Sequence, residues 1–178
     1  MKNNWYIITG APCSGKTTLL KVLEKKGYKV IYEAARTLID RELKKGKTLD
    51  EVRKNELEFQ KKVLQFKIDI EKSLPKKQLT FLERGIPDSI SYFKIYGVKN
   101  DKRLVSIIKK LSYKKVFLLE SFAYQKDYAR IEDIQQVKKI EEYLFDDYKK
   151  YGFNIIKVPK MTVGKRIDYI FKSCDLLQ

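Results

Sequence analysis

Eight residues constrain this chain more than any others. "GAPCSGKT", Gly10 to Thr17, follows the apolar run "WYIIT" and precedes the amphipathic "TLLKVL", so strand, loop and helix come in immediate succession. The loop matches G-x-x-x-x-G-K-[ST] at every fixed position. In that pattern a glycine-rich turn directs successive backbone N–H groups inward at the positive end of a helix. Gly10, Ala11, Pro12, Cys13, Ser14, Gly15, Lys16, Thr17 and Thr18 are therefore expected to cradle the phosphates of a nucleoside triphosphate. Lys16 offers a point charge to the β- and γ-phosphates, and the Thr17 hydroxyl is a ligand for Mg²⁺. Cys13 is read as a small filler within the loop.

Beyond the loop, short apolar runs alternate with longer amphipathic ones. The candidate strands are residues 5–10, 29–33, 78–83, 115–120 and 154–159. None alternates strictly between apolar and polar residues, so they are expected to be buried on both faces, as parallel strands covered by helices are. Thr48 and Glu51 form a capping-box pattern, and Val52, Phe59, Val63, Phe66 and Ile70 follow at helical spacing, which predicts one long helix over 49–74. Ile134, Val137, Ile140, Leu144, Tyr148 and Tyr151 predict a second apolar stripe. Repeated strand–helix alternation implies an α/β fold with right-handed crossovers, in which ligands bind outside the carboxyl ends of the strands. With no linker, repeat or low-complexity stretch, residues 1–178 read as a single domain.

Composition narrows the partners. Lys and Arg outnumber Asp and Glu by 39 to 23, a net charge of +16 that would suit a polyanion. Only seven of the 39 are Arg, however, and lysines dispersed as in "KKVLQFKIDIEKSLPKK" form solvated helix faces, so a nucleic-acid partner is not favoured. Two distant cysteines, Cys13 and Cys174, and no signal segment at the start point to a reducing, cytoplasmic setting without a disulfide framework. No apolar run approaches the roughly 20 residues needed to span a bilayer. The chain has no histidine, so acid–base work falls to carboxylates or lysine.

The strand ends supply those groups. In "FLERGIPDSISYF", Glu83 closes an apolar strand where a carboxylate beside the phosphate loop would hold a Mg²⁺-bound water, and Arg84 would lie near the transferring phosphate. In "YEAAR", Glu33 is the candidate to accept a substrate hydroxyl proton or orient that hydroxyl, with Arg36 one turn later. The segment "ESFAYQKDYARIED", residues 120–133, has the makings of a lid. There Arg130 and Lys126 could close over the phosphates, tethered in the open state by Asp127 and Glu132.

Taken together, the phosphate loop, "GYKVIYEAAR", "FLERGIPDSISYFKIYG", "DYARIE", "YGFNIIKVP" and a closing helix beginning "MTVGKR" resemble a known P-loop family over nearly the whole length. It is the AAA-type ATPase and kinase-like family that includes the ribosylnicotinamide kinase domain of the bacterial NAD regulator and an animal GTP-binding protein of channel trafficking. The resemblance implies a nucleoside-kinase-like core with five parallel strands in the order 2-3-1-4-5. It also implies Glu33 and Arg36 on the acceptor side, Glu83 at the metal, Arg84 and Asp88 lining the site, and a lid arginine at Arg130. Tyr92, one turn beyond Asp88, is a further substrate candidate.

The expected activity is transfer of the γ-phosphoryl of ATP to a hydroxyl of a small, nucleoside-like acceptor with Mg²⁺. GTP is the alternative donor, although no [NT]-K-x-D follows a strand; "VKND" at 98–101 has Val98 in the wrong place. The alternatives in other classes are a nucleotide-dependent binding or trafficking module with slow NTPase activity, and a kinase of polynucleotide ends.

Overall fold

The alternating runs condense into a three-layer sandwich in a computed structural model that describes residues 3–98, 102–122 and 134–174. Strand β1 (Trp5–Thr9) passes through the phosphate loop into α1 (Lys16–Lys25), and β2 (Lys29–Ile31) leads to α2 (Ala34–Leu43). Helices α3 (Leu49–Arg53) and α4 (Glu56–Ser73) precede β3 (Thr80–Glu83), while α5 (Asp88–Ile95) and α6 (Lys102–Ile108) precede β4 (Lys115–Leu119). Helix α7 (Ile134–Lys150), β5 (Ile155–Val158) and α8 (Val163–Cys174) complete the order.

The sheet runs β2-β3-β1-β4-β5 with every pairing parallel. The registers Ile8↔Glu83 and Thr9↔Leu118 bring the carboxyl ends of the central strands to one edge. Both faces are dry. Tyr6, Ile8, Phe81 and Phe117 pack with Leu19, Leu20 and Leu23 of α1 and Ile167 and Ile170 of α8. The alternate strand residues Ile7, Leu82, Val116 and Leu118 pack with Val137, Ile140, Leu144 and Tyr148 of α7. A strand's side chains alternate between faces, so a central strand covered twice must be apolar at every position, and "WYII" is.

The strands are shorter than the apolar runs: β2 ends at Ile31, leaving Tyr32 and Glu33 beyond the ladder. The long helix expected over 49–74 is broken. Thr48 does form the capping box with Glu51 for α3, but the helix stops, and Asn55, extended at φ −118°, accepts from the Glu58 N–H at 3.2 Å to cap α4. An asparagine side chain that bonds nearby backbone competes with helix continuation, which is the physical reason for the break. The buried face of α4 also differs from the expected apolar stripe, because it carries Gln60, Lys67 and Glu71 alongside Phe59, Val63 and Ile68. In α7, Ile134 is exposed and Tyr151 falls past the helix end.

Glu71 is 7% exposed and accepts from the Tyr113 hydroxyl at 2.7 Å, and burial pushes its carboxyl up to about 7. Between its ordinary value and about 7, the folded protein holds a proton that the unfolded chain releases, so stability falls as pH rises through this window. Glu71→Gln, neutral at every pH, is expected to gain up to about 3 kcal/mol on the wild type between pH 4 and pH 8. Denaturant unfolding of both proteins at the two pH values checks this; a gap independent of pH would refute it.

Candidate active site

The phosphate loop is held by backbone conformations that its sequence permits at two glycines. Gly10 has φ +146°, and a Cβ there would stand 2.5 Å from the Leu119 carbonyl and 2.8 Å from Ser14 Oγ. Gly15, at φ +80°, occupies the N-cap of α1, where no side chain bonds the helix N-terminus. The first N–H groups of α1 are thus left to an incoming anion. Cys13 adopts a left-handed φ of 63°, which a non-glycine residue reaches only when its neighbours impose it. Lys16 is 6% exposed, and its ammonium donates to the carbonyls of Gly10 and Ala11, both at 3.0 Å, and to Ser14 Oγ at 3.1 Å. Burial and the nearby Arg84 charge lower its pKa to about 8. Phosphate oxygens would replace the loop carbonyls and raise it again.

Beside the loop, Thr17 Oγ1 donates to Glu83 Oε1 at 2.8 Å. Glu83 ends β3 and is 4% exposed; burial first, and then the Glu33 carboxylate, push its carboxyl up. A buried carboxylate raised in this way gains from a cation, so the pair fits Mg²⁺. Among the described residues no group of three or more His, Cys, Asp or Glu could hold a metal.

Arg84 is the centre of the opposite wall. It too has a left-handed φ, 64°, and its guanidinium is pinned on two sides. Its Nε donates to Glu33 Oε1 at 2.9 Å and its Nη1 to Asp88 Oδ1 at 3.2 Å, while the Tyr92 ring lies 4.9 Å below it. Glu33 is the N-cap residue of α2, yet its carboxylate does not cap that helix. It faces Arg84 instead. Burial would raise the Glu33 carboxyl, but the charges of Arg84, Lys16, Lys67 and Arg36 overcome this and take it down to about 2.

Loop and wall enclose one cavity of about 510 Å³. It joins residues 12–18 of the loop to Glu33, Arg36, Glu83, Arg84 and Tyr92, so nearly all the candidate residues within the described chain converge. Asp88 does not line it. Asp88 is completely buried behind Arg84, accepting from Thr9 Oγ1 at 2.6 Å, the Gly85 N–H at 2.9 Å and the Tyr148 hydroxyl at 2.5 Å. Its place in the fold is to hold Arg84 rather than to meet a ligand. The lid candidates Lys126, Arg130, Asp127 and Glu132 lie outside the described residues.

Among the wall residues that no sequence motif marks, Gln60, Lys67 and Arg166 carry polar groups at buried positions. Gln60 and Lys67 reach the cavity from α4, both within the phase of its apolar stripe. Arg166 of α8 is 1% exposed and ties together the sheet's far end, with its Nη1 donating to the Ser14 carbonyl, Nη2 to the Glu120 carbonyl at 2.9 Å and Nε to the Pro159 carbonyl at 3.1 Å. It also stacks 4.6 Å over Phe122. A polar residue in phase with an apolar stripe was the available signal for all three.

Comparison with known proteins agrees with this geometry. A deoxyadenosine kinase from M. mycoides, solved with the products dCMP and dCDP, superposes with a TM-score of 0.69 at 17% identity, covering 97% of this chain and 100% of that one. Thymidylate kinase from Candida albicans gives 0.68 at 18% identity over 98% and 93% of the two chains. Shikimate kinase from Aquifex aeolicus gives 0.60 at 16% identity, covering 96% of each. No curated protein sequence matches the chain. A family model for the AAA domain matches residues 5–166, from the first strand through Arg166, so the chain belongs to the AAA domain family, and its fold is P-loop and nucleoside-kinase-like.

Proposed function

We propose that this protein is a Mg²⁺-dependent phosphotransferase that moves the γ-phosphoryl of ATP to a hydroxyl of a small, nucleoside-like acceptor. The observation that carries this reading is the placement, in one cavity, of the Glu33–Arg84 pair facing the phosphate loop and the Thr17–Glu83 pair. A nucleotide-binding module needs the loop and the metal position; it has no use for an ionised carboxylate and a fixed guanidinium opposite them. Ile39, Phe59, Val63 and Tyr92 extend the cavity beyond Glu33 with apolar and aromatic surface, which suits a flat ring on the acceptor. The neighbouring folds of nucleoside, nucleotide and shikimate kinases support the same class.

In this mechanism Lys16 turns from the loop carbonyls to the transferring phosphoryl, and the N–H groups at the start of α1 bind the phosphates of the donor. Thr17 and Glu83 would hold Mg²⁺, which when bound would supply positive charge to the donor phosphates. Glu33 orients the acceptor hydroxyl. Glu33, whose carboxyl the neighbouring cations hold down to about 2, takes the hydroxyl proton as the new P–O bond forms and the bond from the γ-phosphorus to the ADP oxygen breaks. Arg84, locked by Asp88, presents a fixed positive charge to the equatorial oxygens at no cost of reorganisation.

Lys16→Ala is expected to fold and to lose the thermal stabilisation that ATP confers; unchanged ATP affinity would remove the phosphate-loop assignment. Glu33→Gln keeps size but loses charge, and it is expected to lower kcat for transfer by roughly 10²-fold or more while ATP affinity changes little. Single-turnover transfer to an accepted nucleoside, beside a direct ATP titration, measures both. Wild-type kcat in Glu33→Gln would remove Glu33 from the chemistry.

A further inference from the structure

The kinase reading leaves a buried ammonium of the cavity wall unassigned. Lys67, on α4, is 6% exposed and lines the cavity, yet its ammonium meets only neutral partners, the Gly85 carbonyl at 3.1 Å and Ser89 Oγ at 3.5 Å. Among the described residues no carboxylate lies within ion-pair distance of it. Of the other cations lining the cavity, Arg36 acts on the Glu33 carboxylate through its charge. Arg84 is shared by Glu33 and Asp88, Arg53 pairs with Glu56, Arg166 is spent on three backbone carbonyls, and Lys16 serves the donor phosphates.

Burying an ammonium without a counter-ion is unfavourable, because its hydration is lost and no charge replaces it. Burial, joined by the Arg84 charge, lowers the Lys67 pKa, and the more distant carboxyl groups of Asp88, Glu33 and Glu71 only partly offset it. An uncharged side chain could fasten α4 to the Gly85 carbonyl equally well, so the strap alone does not account for the charge. An ammonium has three donors and no acceptor, and one bond at 3.1 Å plus one at the limit of 3.5 Å leave it under-used.

Resting on the kinase reading, we propose that the acceptor carries an anionic oxygen group, a carboxylate or a phosphate, and that Lys67 is the residue that selects it. The anion completes the hydrogen bonds of an ammonium that is 6% exposed, where a charge-assisted contact is stronger than at a surface. Lys67 is thus a specificity residue. It touches the acceptor away from the hydroxyl that Glu33 orients, so its loss falls on KM more than on kcat.

The test has two arms. First, with the phosphate loop saturated by a non-hydrolysable ATP analogue and Mg²⁺, inorganic phosphate and acetate are titrated by thermal shift into the wild type, Lys67→Gln, Lys67→Met and Lys67→Arg. Saturable stabilisation is expected in the wild type and in Lys67→Arg, and at least about tenfold weaker binding in the two neutral variants. Lys67→Gln can retain a donor toward Gly85, which separates charge from strapping, and each variant's own melting curve reports its folding. No saturable stabilisation in the wild type, or equal stabilisation in Lys67→Gln, overturns the proposal.

Second, transfer to the 5′-hydroxyl is compared for uridine, orotidine and uridine 3′-monophosphate, which all keep that hydroxyl and differ by a carboxylate or a phosphate. An acidic member is expected to exceed uridine in kcat/KM by about tenfold or more, with the advantage lost through KM in Lys67→Gln. Preference for uridine would overturn the proposal while leaving the kinase reading intact. Anion binding that depends on Lys67, without transfer to any compound, would support the anion site and remove the kinase reading instead.

Discussion

The Arg84 guanidinium, shared between Glu33 and Asp88, is the interaction on which the site depends. Through it the end of β3, the start of α2 and the first residue of α5 become one rigid body. Asp88 extends the linkage to Thr9 at the end of β1 and to Tyr148 on α7. Four donors converge on a carboxylate that no water reaches. Removing one partner of such a cluster leaves a buried charge uncompensated, which typically costs about 3–5 kcal/mol. The left-handed backbone of Arg84 persists because these bonds over-determine it.

The charges of the molecule divide into two populations. Most of the surplus behind the net +16 sits on exposed lysines, screened by water and salt. A few cations are buried around the cavity, and there burial and neighbouring charges take Lys16 down to about 8 and Glu33 down to about 2. Groups shifted this far in a cleft mark sites of chemistry more often than structural accident. They also explain why one cavity can attract a polyphosphate and still retain an ionised carboxylate, since Arg84 and Lys16 outweigh the burial that would neutralise Glu33.

Arg166 shows how a distant part of the chain completes the phosphate loop. Its three bonds join the loop at Ser14, the end of β4 at Glu120 and the turn after β5 at Pro159. The loop's two constrained glycines, its left-handed Cys13 and the bare N-terminus of α1 are therefore supported from the C-terminal helix. Loops that bind phosphate by backbone geometry need such external stiffening, because their own short-range bonds are few.

Much of this was legible in the residues. The phosphate loop, the five parallel strands, the capping box at Thr48 and the convergence of Glu33, Arg36, Glu83 and Arg84 follow from patterns that are local, or that the rule of strand ends makes local. Apolar runs without alternation dictate burial on both faces, and a glycine-rich turn before a helix dictates an anion site, whatever the rest of the chain does. The break at Asn55 was missed because one side-chain cap outweighed a continuous stripe. The parts that Asp88, Lys67, Gln60 and Arg166 play were decided by tertiary structure. Whether a polar side chain on an apolar face becomes a hidden brace, as Asp88 does, or a cavity wall, as Lys67 does, depends on which partners arrive from positions such as Gly85 and Tyr148, far along the chain. Sequence determines which groups are present and how often they recur. Only the folded chain decides which charges are matched and which are left for a ligand, because electrostatic energy depends on distances and burial that no local pattern encodes.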